Sequence, residues 1–250
     1  MCGIVGYIGD KEKKEVILSG LKELEYRGYD SAGMAVMSDD KIDFFKAVGK
    51  LENLVLKTKD FTSEGFGVAI GHTRWATHGK PTEINAHPHL GEHSFVVHNG
   101  IIENYKELKD ELEAKGVKFV SQTDTEVIVH LFEEILKEKK DPFKAYEATI
   151  AKLRGAYATL LITKTAPDKI FFAKDAAPMA IGKSDKKELY FASSDAPLIG
   201  NATEVAYLDD NNYGYVSLDE IAVFKHGKKA SITFNALPKD KSYAQKEGYT

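Results

Sequence analysis

The sequence predicts an α+β protein, in which helical and β-strand segments occupy separate stretches of the chain. Residues 104–153 carry apolar side chains at helical spacing, whereas residues 157–234 carry short apolar runs that turn residues separate at short intervals. A regular alternation of strands and helices would instead indicate a doubly wound parallel sheet. We therefore expect antiparallel sheets with helices packed against them.

The first hundred residues contribute both kinds of element. Residues 2–8 are apolar and rich in β-branched side chains, which predicts a buried strand that begins at a cysteine. Residues 34–37 and 42–47 predict a hairpin across the polar turn at 38–40. Further strands are expected at 66–71 and 94–98, and helices at 11–25 and 51–59.

Three helices follow, and then the antiparallel strands. Asn104 is the expected N-cap of the first helix, residues 123–126 match a capping box for the second, and Asp141-Pro142 begins the third. The strands are expected at 157–162, 169–173, 179–182, 189–192, 204–208, 213–218, 221–224 and 231–234, in a meander of antiparallel neighbours.

Composition and charge limit the class of protein. The net charge of −4 provides no basic excess for nucleic acid or an anionic membrane surface. No apolar run is long enough to span a membrane, and no signal-peptide pattern is present. A single cysteine can form no internal disulfide, so we expect a cytoplasmic protein. We expect one domain over residues 2–240 and a polar tail or linker over 241–250.

The only cysteine, Cys2, is separated from the chain start by Met1. Removal of Met1 would give one residue both a thiol and a free α-amino group, which are a nucleophile and a base a few bonds apart. An α-amine titrates near about 7.7–8.0, so it can accept a proton at neutral pH. A cysteine without a chemical role is the alternative, and Cys2 alone does not decide between them.

Asn99-Gly100 has two interpretations of equal weight. An Asn-Gly pair between apolar runs is a strong signal for a two-residue hairpin turn. However, the residues that follow have a helical pattern instead of that of a returning strand. The second interpretation is an oxyanion hole, in which the Asn99 amide and the Gly100 N–H donate to a developing negative oxygen.

Two charged residues are candidates for binding an amino acid. Arg74 lies beside Trp75 in a polar loop with Thr77, and an arginine fork recognises a carboxylate bidentately. Asp124 lies in the first turn of a predicted helix, where a carboxylate interacts favourably with the helix dipole. Its functional interpretation is an acceptor for a substrate ammonium group.

Histidines are concentrated in one part of the chain. They are His72, His78, His87, His89, His93 and His98. Their spacing matches no zinc motif, and the only cysteine is distant in sequence, so we expect no metal. Hydrogen bonding within loops is the favoured interpretation and a metal-binding module the alternative. No phosphate-binding loop or dinucleotide-binding pattern is present, so we expect no cofactor.

Five motifs in one order resemble the class II glutamine amidotransferases, whose glutaminase domains are N-terminal-nucleophile hydrolases. The motifs are CGIVG at 2–6, YRGYDSAG at 26–33, HTRWATHG at 72–79, HNGIIEN at 98–104 and TDTE at 123–126. The resemblance covers nearly the whole chain. The tryptophan motif and the YRGYDSAG motif favour the members that make an amino-sugar phosphate from fructose 6-phosphate.

The resemblance implies a four-layer αββα fold, with two antiparallel sheets between helical layers, and it implies roles for individual residues. Cys2 would be the nucleophile, and Asn99 and Gly100 the oxyanion hole. Arg74 and Thr77 would bind the glutamine α-carboxylate with His78 nearby, Asp124 would bind the α-ammonium group, and Trp75 would line the route by which ammonia leaves.

The resemblance also implies partners. L-Glutamine would be the substrate, and fructose 6-phosphate would react only in a sugar-isomerase portion that follows this domain in the family and would begin near residue 250. Family members of full length are homodimers. An N-terminal-cysteine acylase for another amide and the metal-binding or regulatory module remain the alternatives.

Overall fold

The computed structural model describes residues 2–39, 41–75 and 79–238. Met1, Thr77, His78 and the predicted tail at 241–250 therefore lie outside the described residues. Helices of the described part are α1 (Lys13–Lys22), α2 (Leu51–Lys57), α3 (Tyr105–Ala114), α4 (Glu126–Lys139) and α5 (Pro142–Ile150), with a 3-10 turn at Glu25–Arg27. None of these helices has the length and apolar character needed to cross a membrane.

The strands form two antiparallel sheets. Strands of the first half are β1 (Gly3–Gly9), β2 (Ser31–Ser38), β3 (Lys41–Val48), β4 (Gly67–Arg74), β5 (His89–Leu90) and β6 (Ser94–Ile102). Those of the second half are β7 (Gly155–Thr163), β8 (Ala166–Asp175), β9 (Ala180–Lys183), β10 (Leu189–Ala192), β11 (Glu204–Tyr207), β12 (Asn212–Val216), β13 (Ile221–Lys225), β14 (Lys228–Ala230) and β15 (Asn235–Ala236).

The two sheets differ in their strand order. The first sheet runs β15-β11-β9-β10-β1-β4-β2-β3, and the second runs β14-β13-β12-β8-β7-β6-β5. Strand β1 therefore lies in the interior of the first sheet, paired with β10 on one side and β4 on the other. The predicted hairpin of β2 and β3 is confirmed by their pairing from Ser31–Val48 to Ser38–Lys41.

The alternation of side chains along β1 explains the layer order. Ile4 and Ile8 point into the core between the two sheets, where they join Val97 and Leu160 of the second sheet. The intervening Val5 and Tyr7 belong instead to the core under α1 and α2. A third core packs α3, α4 and α5 on the outer face of the second sheet. The layers are therefore helix, sheet, sheet, helix, which confirms the αββα expectation.

Three expectations from the sequence are wrong in detail. The strands after residue 157 form no single meander, because β9, β10, β11 and β15 join the first sheet and the others the second. Residues 231–234 form no strand. The capping box is absent, since the helix begins only at Glu126 and its carboxylate accepts from the backbone N–H groups of Val120 and Ser121.

Candidate active site

Cys2 lies at the start of β1, where pairing on both sides of the strand fixes its position. The register opposes Gly3 to Thr73 of β4, so Cys2 lies beside the end of that strand. The backbone N–H of Trp75 donates to Cys2 Sγ over 3.2 Å. On the other side, the Ile4 N–H donates to the hydroxyl of Ser193 over 3.0 Å. The thiol is therefore held next to residues 74 and 75.

The surroundings of Cys2 favour the uncharged thiol. Burial raises the pKa of Cys2, and the hydrogen bond from Trp75 and the positive charge of Arg74 oppose this effect only in part. The thiolate is the nucleophilic form of cysteine. A base close to Sγ is therefore needed at neutral pH, and the α-amine of Cys2 itself would meet that need once Met1 is removed.

Asn99 lies on β6 and reaches across from the second sheet to Cys2. Its side-chain amide Nδ2 donates to the backbone carbonyl of Cys2 over 3.2 Å. The Oδ1 atom of the same amide lies 3.0 Å from His72 Nε2. An amide NH2 group has two hydrogens, so Asn99 can donate to a second oxygen beside Cys2.

Gly100 follows Asn99 within β6, so the hairpin interpretation of this pair is wrong. Strand β6 continues through both residues to Ile102 and pairs Gly100 with Tyr157 of β7. Gly100 has a φ of +116°, and a Cβ atom there would lie 2.0 Å from the carbonyl oxygen of Ala156. Only glycine fits this backbone, which brings the main chain close to the site.

Arg74 ends β4 and is 4% exposed. Its guanidinium lies 3.4 Å and 3.5 Å from the backbone carbonyls of Gly79 and Lys80, and its own carbonyl accepts from the N–H of Asp30. The next residue, Trp75, is 44% exposed and contacts the Tyr29 ring edge-on, with 5.4 Å between centroids. A buried charge and an exposed indole thus lie next to each other at the end of β4.

Asp124 is buried in the segment that precedes α4. One of its carboxylate oxygens, Oδ2, accepts from the backbone N–H of Ile102 over 2.7 Å. This hydrogen bond ties the segment to the end of β6, two residues beyond Gly100. The other oxygen is left for a further donor, such as an ammonium group.

The structure brings the described members of the predicted site together. One cleft is lined by Cys2, Arg74, Trp75, His87, His98, Gly100, Thr123, Asp124 and Thr125. Asn99 contacts Cys2 directly at the side of this cleft. A thiol, an amide donor, a guanidinium and a carboxylate can therefore reach one small molecule. Thr77 and His78 lie outside the described residues, and their roles stay predictions.

The prediction missed the buried histidines that support the cleft. Thr125 Oγ1 lies 2.9 Å from His98 Nδ1 and 3.0 Å from His87 Nε2. Thr123 Oγ1 lies 3.0 Å from His89 Nε2. These contacts hold the segment of Asp124 from both sides. The concentration of histidines was the only sequence signal, and hydrogen bonding was its favoured interpretation. Within the described ranges, no three His, Cys, Asp or Glu side chains are grouped to hold a metal.

The layer order, together with a cysteine at the start of a central strand, defines an N-terminal-nucleophile hydrolase fold of the amidotransferase type. Residues 72–200 match the family described as the glutamine amidotransferase domain. The chain belongs to this glutamine amidotransferase family.

Similar proteins of known name are longer than this chain. The glutamine–fructose-6-phosphate aminotransferase [isomerizing] of Campylobacter jejuni is 64% identical over 249 residues, which are 100% of this chain and 42% of that protein. The protein of the same name from Helicobacter pylori is 56% identical over 221 residues, 88% of this chain and 36% of that protein. The chain thus spans less than half the length of these relatives.

Solved structures show the same fold in another branch of the family. The glutamine phosphoribosylpyrophosphate amidotransferase of B. subtilis has a TM-score of 0.67 at 25% identity, over 87% of this chain and 49% of that chain. A structure described as the allosteric regulatory enzyme of purine biosynthesis has a TM-score of 0.68 at 26% identity, again over 87% and 49% of the two chains.

Proposed function

We propose that this chain hydrolyses the side-chain amide of L-glutamine to glutamate and ammonia through a thioester on Cys2. The observation that carries the proposal is the convergence of Cys2, Asn99, Arg74 and Asp124 on one cleft. Arg74 and Asp124 have the charges needed to bind the α-carboxylate and α-ammonium groups of a free amino acid. Family membership supports glutamine as that amino acid.

In the first half of the reaction, the α-amine of Cys2 takes the thiol proton and Sγ attacks the amide carbon. The negative oxygen of the tetrahedral intermediate receives hydrogen bonds from Asn99 Nδ2 and the Gly100 N–H. The ammonium group of Cys2 then protonates the nitrogen, the C–N bond breaks and ammonia leaves.

In the second half, water attacks the thioester while the α-amine takes its proton. The second tetrahedral oxygen uses the same donors. The C–S bond breaks, the sulfur regains a proton, and glutamate leaves. Both halves require Cys2 to be the first residue, because an amide nitrogen bonded to Met1 cannot act as the base.

The names of the longer relatives support a further part of the proposal. The ammonia would be used in a sugar-isomerase portion to convert fructose 6-phosphate to glucosamine 6-phosphate. The remaining expectations, a homodimer at full length, Trp75 along the ammonia route and a cytoplasmic location, stay part of the proposal and rest on the resemblance.

The proposal is tested by incubating the chain with L-glutamine and measuring glutamate and ammonia. We expect Cys2→Ala to abolish turnover and Asn99→Ala to lower kcat by about 10²–10³-fold, the usual loss for one oxyanion donor. Wild-type turnover by Asn99→Ala would exclude its assigned role. A glutamine analogue with an electrophilic side chain, followed by intact mass, reports Met1 removal and Cys2 labelling together.

Two further arms of the assay address the alternatives. Asparagine and simple amides should be poor substrates, because the cleft presents partners for a free α-amino acid at a fixed distance from Cys2. Equal rates on simple amides would indicate a general N-terminal-cysteine acylase instead. Loss of activity in a chelator would favour the metal-binding alternative, whereas we expect unchanged activity.

A further inference from the structure

His72 connects the two sheets directly behind the site. It lies on β4 in the first sheet and is 1% exposed. Its Nε2 atom is 3.0 Å from the backbone carbonyl of His98 and 3.0 Å from Oδ1 of Asn99, both on β6 in the second sheet. One ring nitrogen thus contacts two oxygens.

The identity of these two oxygens determines which ring nitrogen of His72 has the proton. Backbone carbonyl and side-chain amide oxygens are acceptors only, so Nε2 must donate to both. Burial, with a smaller effect of the neighbouring His98, lowers the pKa of His72 to about 3, and the ring is neutral at neutral pH. The other nitrogen, Nδ1, is then unprotonated, and within the described residues it is buried without a hydrogen-bond partner.

The same network determines the orientation of the Asn99 amide. As it stands, Oδ1 accepts from His72 and Nδ2 donates to the carbonyl of Cys2 over 3.2 Å. A half-turn about the last side-chain bond would oppose two donors at His72 and two acceptors at Cys2. The NH2 group of Asn99 is therefore held facing the nucleophilic residue.

We propose that His72 is a positioning residue for this reaction, whose neutral Nε2–H tautomer keeps the Asn99 NH2 group directed at the oxygen that becomes negative. This inference rests on the proposed function of Asn99. His72 does not line the cleft and touches no substrate atom. Without its donor, the amide can rotate and present an oxygen to the oxyanion, which repels it.

Three substitutions of His72 separate its donor from its volume. Gln places an N–H donor near the position of Nε2, Asn places its donor near Nδ1, and Leu has no donor. We expect His72→Gln to keep kcat for glutamine within about tenfold, and His72→Asn and His72→Leu to lower it by about 10²-fold, toward the loss for a whole oxyanion donor. KM should change little, because Arg74 and Asp124 remain.

Two controls separate positioning from loss of structure. Thermal unfolding identifies variants that fail to fold, and the comparison is made among those folded at the assay temperature. Alkylation of Cys2 by iodoacetamide forms no oxyanion, so its rate should be the same in all three variants and in the wild type. A reduced alkylation rate together with a reduced kcat would show that the site itself has collapsed, and would overturn a positioning role.

A spectroscopic measurement tests the inference without using activity. In the ¹⁵N NMR spectrum of the wild-type chain, the His72 ring should show a protonated Nε2 and an unprotonated Nδ1 from pH 5 to pH 8. A protonated Nδ1, or a His72→Gln variant as slow as His72→Leu, would overturn the proposal. If the wild type fails to hydrolyse glutamine, the proposed function fails, while the tautomer and the Asn99 orientation remain testable.

Discussion

The carboxylate of Asp124 accepts a hydrogen bond from the backbone N–H of Ile102 over 2.7 Å, and both residues are buried. This contact fixes the distance between the segment before α4 and the end of β6, which holds Asn99 and Gly100. One carboxylate therefore has two separable tasks: an uncharged acceptor suffices for the backbone, whereas a substrate ammonium group requires the negative charge.

Two substitutions of Asp124 separate these tasks. Asp124→Asn keeps an oxygen for the Ile102 N–H and removes the charge, so we expect KM for glutamine to rise by about 10–100-fold with little loss of stability. Asp124→Ala also leaves the N–H buried without an acceptor, so the free energy of unfolding should fall by a further ~1–3 kcal/mol. Glutamine kinetics and urea unfolding measure the two effects. An unchanged KM in both variants would exclude the ammonium site.

The sequence predicted those parts of the site that local pattern carries. The apolar strand after Cys2 and the helical periods of α4 and α5 are short-range signals, and the structure has them close to the expected positions. The five motifs then linked distant residues through a resemblance, which no periodicity could have supplied.

The failures concern long-range pairing and side-chain choice. Residues 180–207 resemble the strands around them, yet they pair with the first sheet, because sheet membership depends on partners far away in sequence. Asn104 satisfies the spacing of an N-cap, but its side chain bonds the carbonyl of Lys152 and the N–H of Arg154 instead. A polar side chain has several possible partners, and the sequence does not rank them.

The buried histidines predict the effect of pH on stability. The pKa values of His72, His87, His89 and His98 are all lowered, mainly by burial. The unfolded chain therefore binds more protons below about pH 6.5, and stability falls as the pH decreases from there toward the folded-state values. Each such histidine adds up to ~1.4 kcal/mol per pH unit to this slope. Urea unfolding between pH 5 and 8 measures it.

A matched pair of variants checks the origin of this slope. His87→Gln removes one fully buried ring, and the slope should decrease by up to one proton. His93→Gln removes a ring whose side chain is 54% exposed, and the slope should stay as in the wild type. The same slope in both variants would show that the buried histidines do not cause the acid sensitivity.

Gly100 predicts a second effect on stability, because its backbone angle and its neighbours both exclude a side chain. Gly100→Ala places a Cβ atom 2.0 Å from the Ala156 oxygen at a φ of +116°. Gly116→Ala is the control, since it has a φ of +87° and no atom within 4 Å of the added carbon. We expect ~1–2 kcal/mol of destabilisation in the control and ~2–5 kcal/mol at Gly100. Equal losses in denaturant unfolding would contradict the steric argument.

Lys46 predicts a substitution that stabilises the protein. It lies on the edge strand β3, is 8% exposed, and its ammonium group has no hydrogen-bond or ion-pair partner among the described residues. Burial lowers the pKa of Lys46 to about 8, against the partial compensation by Glu126 and Glu83. The charged form thus costs ~3 kcal/mol of stability at neutral pH.

Lys46→Met retains the length of the side chain and removes the charge, so Tm should rise at pH 7. The sign of the pH dependence follows from the lowered pKa. The unfolded wild type binds more protons than the folded protein between about pH 8 and 10.5, so wild-type stability rises over that range and the advantage of the variant shrinks. Lys41→Met is the control, because this lysine is on the same strand with its side chain 75% exposed. A gain that persists unchanged at pH 10, or an equal gain in the control, would indicate that burial of the Lys46 charge is not its cause.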